Sequence, residues 1–139
     1  LHPASYARLY DLDPAEMARQ VNKAVSRYRE ELGRSPALFA YPYGEYSGDY
    51  RDLIEKLGFA AAFGQHSGVA YEGSDLFALP RFSMTGPFGS LERFQMVARA
   101  LPLPVTDITP ADPLLREGTP VIGFTVDPAL QAGLKTLSC

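Results

Sequence analysis

Residues 39–47 read FAYPYGEYS, and the order of these nine residues decides how the chain around them folds. Apolar residues run into Tyr41-Pro42-Tyr43-Gly44 and give way at once to polar ones. Pro42 fixes one backbone dihedral and Gly44 lets the chain reverse, so the stretch reads as a strand ending in a stiffened turn. Working backwards, ALFAY (37–41) is short and apolar on both faces, the pattern of a buried parallel strand. Working forwards, DYRDLIEKLG (49–58) places Tyr50, Leu53, Ile54 and Leu57 on one helical face, with Gly58 to stop it.

The same alternation extends outward on both sides. Asp13 is suited to cap a helix, Pro14 to open it, and Glu16 to complete a capping box. Met17, Val21, Ala24, Val25, Tyr28 and Leu32 then recur at helical spacing, and Gly33 closes the segment. Asp11, Glu45, Asp49 and Asp52 fit helix starts and polar faces. FAAAFG (59–64) reads as a second short strand, and LFALPRFSM (76–84) as an extended segment broken by Pro80. A third helix is expected from Ser90 to Leu101, with Leu91, Phe94, Val97 and Leu101 facing inward. The proline-rich stretch 102–120 reads as loop, and VIGFTV (121–126) as the last strand. Helices alternating with short apolar strands predict an α/β fold whose strands are mainly parallel. In such sheets sites form at the carboxyl ends of the strands, where the Tyr41–Gly44 turn lies.

The composition narrows the function. With 46% hydrophobic and 21% charged residues among 139, the chain has the material for one real core and is not a disordered segment. A net charge of -3 with no basic block argues against nucleic acid as a partner. No apolar run approaches the roughly 18 residues of a membrane span. The single cysteine rules out an internal disulfide framework and a cysteine-based zinc site. The chain opens at Leu1 and stops at Cys139 without a closing element, so we expect it to be part of something longer.

Among residues that carry chemistry, His2 taken alone reads as a solvated side chain near a chain end, and His66 in GQHSG as a loop residue. Arg81 follows Leu79-Pro80 where a charge enters an apolar segment. Either a carboxylate on a neighbouring strand pairs with it, or its stem packs while its head reaches water. A backbone N–H held out of any ladder in the Tyr41–Gly44 turn would serve as an oxyanion donor.

Together, Leu1-His2-Pro3, the amphipathic helix, FAYPYGEYS and ALPRFSM (78–84) resemble, in that order, the polysaccharide deacetylases of carbohydrate esterase family 4. The nearest branch is the poly-N-acetylglucosamine deacetylases of bacterial envelopes. The resemblance runs from His2 to about Leu101. It implies part of a distorted (β/α) barrel, incomplete in this chain: residues 1–104 as the C-terminal portion of the catalytic domain and 105–139 as a proline-rich extension with one strand. It implies a hydrolase that removes N-acetyl groups from an N-acetylglucosamine polysaccharide with a divalent metal, zinc, bound by one Asp and two His. In that scheme His2 is a metal ligand, the Tyr43 N–H binds the oxyanion, and Arg81 orients the catalytic aspartate. Tyr41, Pro42, Gly44 and Tyr46 line the sugar groove.

Two departures qualify the scheme. Ala40 stands where the wider family carries arginine, and no Leu-x-His motif supplies a general acid. The Asp-Asp pair and the first metal histidine are expected upstream of Leu1, so the chain alone is expected to be inactive. The scheme also implies a periplasmic or otherwise extracytoplasmic enzyme, with self-association through an open sheet edge as a further expectation. A non-catalytic carbohydrate-binding or assembly module on the same fold, or an unrelated α/β domain, would share these features. The upstream Asp-Asp and His would separate the enzyme from both.

Overall fold

A computed structural model describes residues 1–3, 10, 12–115, 118–130 and 134. Helix α1 spans Pro14–Leu32, where Asp13 accepts the Ala15 N–H at 2.7 Å and Gly33, at φ 65°, returns its N–H to Arg29 O. Glu16 does not complete the capping box; it pairs with Arg19 and Gln20 along its own helix face. Strand β1 (Leu38–Ala40) leads into a tight turn, Pro42–Gly44. Helix α2 (Gly48–Lys56) follows, with Ser47 capping it through the Tyr50 N–H. Strand β2 (Ala61–Phe63) then pairs with β1 in parallel, Phe39 opposite Ala62.

Backbone pairing continues beyond both strands. The Leu1 nitrogen donates to Leu38 O at 2.7 Å and Leu1 O accepts the Ala40 N–H at 2.8 Å, the bond pattern of a parallel neighbour. On the far side Leu79 bridges Phe63 in parallel. The expected extended segment 76–84 is reduced to that one bridge, because Pro80 has no N–H to carry the ladder on.

The core lies on the Phe39 face of this sheet. Met17 and Val21 of α1 meet Tyr50 and Ile54 of α2 over Phe39, Tyr41, Phe59 and Ala62. Edge-to-face aromatic pairs fill it: the Phe39 ring lies 5.5 Å from Tyr41 and 5.2 Å from Phe59, and Tyr41 lies 5.2 Å from Tyr50. The expectation that β1 is buried on both faces is corrected, since Leu38 is half exposed. Both helices pack on the Phe39 side, and among the described residues nothing covers Leu38.

Segment 75–79 is clamped to this core. Arg51 of α2 holds Asp75 through one guanidinium edge, Nε and Nη2 donating at 2.8 and 3.0 Å, and lies over the Phe77 ring. Tyr41 Oη donates to Phe77 O at 2.9 Å. Arg51, and after it the Phe77 N–H, holds the Asp75 carboxyl below the ordinary aspartate range. A carboxyl whose pKa falls on folding stabilises above its unfolded pKa and stops doing so as pH falls through the folded one. We therefore expect the urea midpoint to drop below about pH 4, and Asp75→Asn to flatten that drop. Asp75 is partly solvated, so the change is modest.

The C-terminal third departs most from expectation. Helix α3 is Leu91–Val97, shorter than the predicted 90–101, and buries none of its residues. Leu91, Phe94 and Leu101, expected inward, are exposed, because no described element packs over that side. Strand β3 (Val105–Thr109) forms where a loop was expected, and pairs antiparallel with β4 (Gly123–Val126). The β-branched run Val105, Thr106, Ile108, Thr109 favours a strand, and the flanking prolines had hidden that preference. The extension thus carries two strands rather than one. The fold is α/β with a parallel sheet and a separate antiparallel hairpin, so "mainly parallel" holds only for the N-terminal unit.

Candidate active site

The parallel ladder sets the site. Leu1, β1, β2 and Leu79 lie side by side in one direction, so the residues that follow each of them emerge along one edge. Those residues are His2, the Tyr41–Gly44 turn, Gly64–His66 and Arg81, whose N–H donates to His66 O at 3.0 Å. The carboxyl edge of a parallel sheet is where α/β proteins assemble sites.

The turn is strained in a specific way. Tyr43 is a non-glycine residue at φ 57° and Gly44 follows at φ 73°, two consecutive left-handed residues. The turn closes through the Gly44 N–H to Tyr41 O at 2.9 Å and the Glu45 N–H to Pro42 O at 3.0 Å. A left-handed tyrosine costs about 1–2 kcal/mol, so the surroundings must enforce it. Gly44 is pressed against the next loop: a Cβ there would lie 2.4 Å from the Gln65 nitrogen.

The expected site residues divide. Tyr43 is 57% exposed, while Tyr46 is half-buried with its ring stacked on Tyr41 at 4.8 Å. Tyr41 and Pro42, expected along the sugar groove, are buried and support the turn from below. The reason is packing: Tyr41 lies on the same sheet face as Phe39, so it points into the helices, and its hydroxyl is spent on Phe77 O. Burial raises the phenol pKa of Tyr41 far above the ordinary value, so it stays neutral.

His2 is half-buried, and its pKa is lowered first by that burial, with the Arg81 charge also acting on it. Arg81 is exposed, and among the described residues no carboxylate pairs with its guanidinium. Among the described residues no group of three or more His, Cys, Asp or Glu gathers as a metal site, so His2 does not complete one here.

His66, expected as a plain loop residue, stands at the same edge. With Tyr43, Gly44, Tyr46 and Gln65 it lines a cleft of about 670 Å³. Its edge is exposed, yet the cleft takes enough of the ring out of water to hold its pKa below the ordinary histidine value. The available signal was positional: GQHSG follows β2 directly, so it had to emerge beside the turn.

The polysaccharide deacetylase family profile matches residues 1–62. A comparison with curated proteins gave no match. Among solved structures, the Streptococcus pyogenes deacetylase PplD in complex with acetate superposes with a TM-score of 0.63 at 19% identity. The match covers 69% of this chain and 42% of that one, so this chain spans less than half the length of the protein it matches. At that identity the likeness is one of fold. The deacetylase domain of BpsB from Bordetella bronchiseptica gives a TM-score of 0.47 at 16% identity, over 49% of this chain and 26% of that one. The matching profile thus covers the histidine, the long helix, the turn and both parallel strands nearly to their ends, so over residues 1–62 the chain is similar to the polysaccharide deacetylases.

Proposed function

We propose that this chain is the C-terminal portion of a metal-dependent hydrolase that removes N-acetyl groups from an N-acetylglucosamine-containing polysaccharide. The observation that carries this reading is Tyr43, held left-handed on the same sheet edge as His2 and Arg81. Amide hydrolysis passes through a tetrahedral oxyanion, and a preorganised backbone N–H is the cheapest way to stabilise it, since no reorganisation is needed when the charge appears. The Tyr43 N–H takes that role. Arg81, an exposed cation at the same edge, positions the carboxylate base that residues outside this chain supply. Tyr46 and Gly44 border the sugar, while Tyr41 and Pro42 act only by fixing the turn. Residues 1–104 belong to the catalytic domain, and 105–139 form its extension.

The family pattern expects a divalent metal, zinc, which polarises the amide carbonyl when bound. A catalytic zinc takes three protein ligands, and among the described residues no three His, Cys, Asp or Glu gather around His2, so they do not fit a complete site. The barrel closure, the remaining ligands and the base belong to the longer protein. No helix among the described residues is long and apolar enough to cross a membrane. A polymer of the envelope lies outside the cytoplasm, so the parent works in the periplasm or another extracytoplasmic space.

The test is zinc binding by calorimetry on this chain beside the chain extended upstream, together with acetate release from N-acetylglucosamine oligomers. Tight binding and acetate release by the extended protein alone are expected. If the extended protein neither binds zinc nor releases acetate, the enzyme reading falls, and the turn becomes part of a sugar-binding module or a structural corner.

A further inference from the structure

The segment beyond β3 returns to the sheet edge. Asp112 Oδ1 accepts the Leu114 N–H at 2.8 Å and the Gly48 N–H, in the first turn of α2, at 3.3 Å. A carboxylate there meets amides that the helix leaves unsatisfied and the positive end of its dipole. The Asp112 charge also reaches Tyr46, whose phenol is held above its ordinary pKa first by burial and then by Asp75, with Asp112 adding to it. This hook brings Pro113 and Leu114 into the cleft shared by Tyr43, Tyr46, Gln65 and His66. The extension is therefore part of the site rather than an appendage.

We propose that residues 112–114 form a specificity-determining wall of this cleft, that the cleft takes a hexosamine residue next to the one losing its acetyl group, and that His66 hydrogen-bonds that sugar. A pyranose is a slab with apolar C–H faces and hydroxylated edges. Leu114, Pro113 and the tyrosines supply apolar and aromatic surface for a face, and His66 and Gln65 supply polar groups for an edge. The lowered pKa of His66 keeps the imidazole neutral at pH 7, so it donates at one nitrogen and accepts at the other. That suits an uncharged N-acetylated sugar better than an anionic one. The volume lies within the usual range of roughly 300–1,000 Å³ for small-ligand clefts.

The inference rests on the deacetylase reading, and its test separates the two. In the upstream-extended protein, binding of an N-acetylglucosamine pentamer by calorimetry and acetate release are measured for wild type, His66→Ala, Leu114→Ala and Asp112→Ala. All three variants are expected to bind the pentamer about 5- to 10-fold more weakly. A heteronuclear spectrum of each checks that the fold is kept, and Leu114→Met is expected to restore binding. If wild type releases acetate while the variants bind as it does, the wall is overturned and the deacetylase stands. If the variants weaken binding but wild type releases no acetate, the wall stands and the deacetylase falls. A wild type that neither binds nor cleaves sinks both.

Discussion

Gly44→Ala is expected to destabilise the protein by about 3 kcal/mol, enough to lower the melting temperature by roughly 10 °C or more. Two independent penalties combine. A β-carbon at φ 73° pays about 1–2 kcal/mol for the left-handed backbone. It must also displace the Gln65 main chain, whose nitrogen would stand 2.4 Å away. Overpacking against backbone, which cannot rotate aside as a side chain can, costs a further 1–3 kcal/mol or so. Gly33→Ala is the matched control: φ is 65° there, but a Cβ meets nothing within 4 Å. Only the backbone term applies, so about 1 kcal/mol should be lost. Urea unfolding of the two variants checks this, and equal losses would refute the close approach of the turn to Gln65.

Arg81→Met in the upstream-extended protein should lower kcat/KM by about 100-fold, because a misplaced base costs on that order. In the chain alone the melting temperature should move by no more than about 1–2 °C, since there Arg81 is exposed and no carboxylate pairs with it among the described residues. The pH profile discriminates further. An arginine beside a carboxylate lowers its pKa, and the base must be ionised to work. Removing the cation raises that pKa, so the acid limb of the kcat/KM profile should move to higher pH. A limb that stays in place would mean that Arg81 does not touch the base.

Residues whose local pattern and tertiary role agree were legible in the sequence. Asp13, Pro14 and Gly33 bound a helix by backbone chemistry that any context respects, and α1 forms between them. The turn at Tyr41–Gly44 was legible for the same reason, since proline and glycine restrict the chain by themselves. Which residues the turn exposes was not legible. Tyr41 and Tyr43 are two apart and chemically identical, yet one is core and the other rim. That difference follows from the helices that cover the Phe39 face of the sheet and from the turn that carries Tyr43 past it, and the helix packing is a non-local fact. β3 was missed because four prolines in 102–113 outweighed its β-branched run in a local reading. His66 and Asp112 entered the site only when the fold brought GQHSG and the extension to the turn. The inward face expected of α3 failed for the opposite reason: periodicity says where a helix is apolar, not whether anything arrives to cover it.

The contact between Gly44 and Gln65 also limits how this site can change. Segments 42–46 and 64–66 are separate in the chain but meet with no room for even one methyl group. A library that randomises either segment alone should therefore return mostly unfolded clones. Functional variants are to be sought where both segments mutate together, and two homologous loops transplanted as a pair should succeed where each transplanted singly fails.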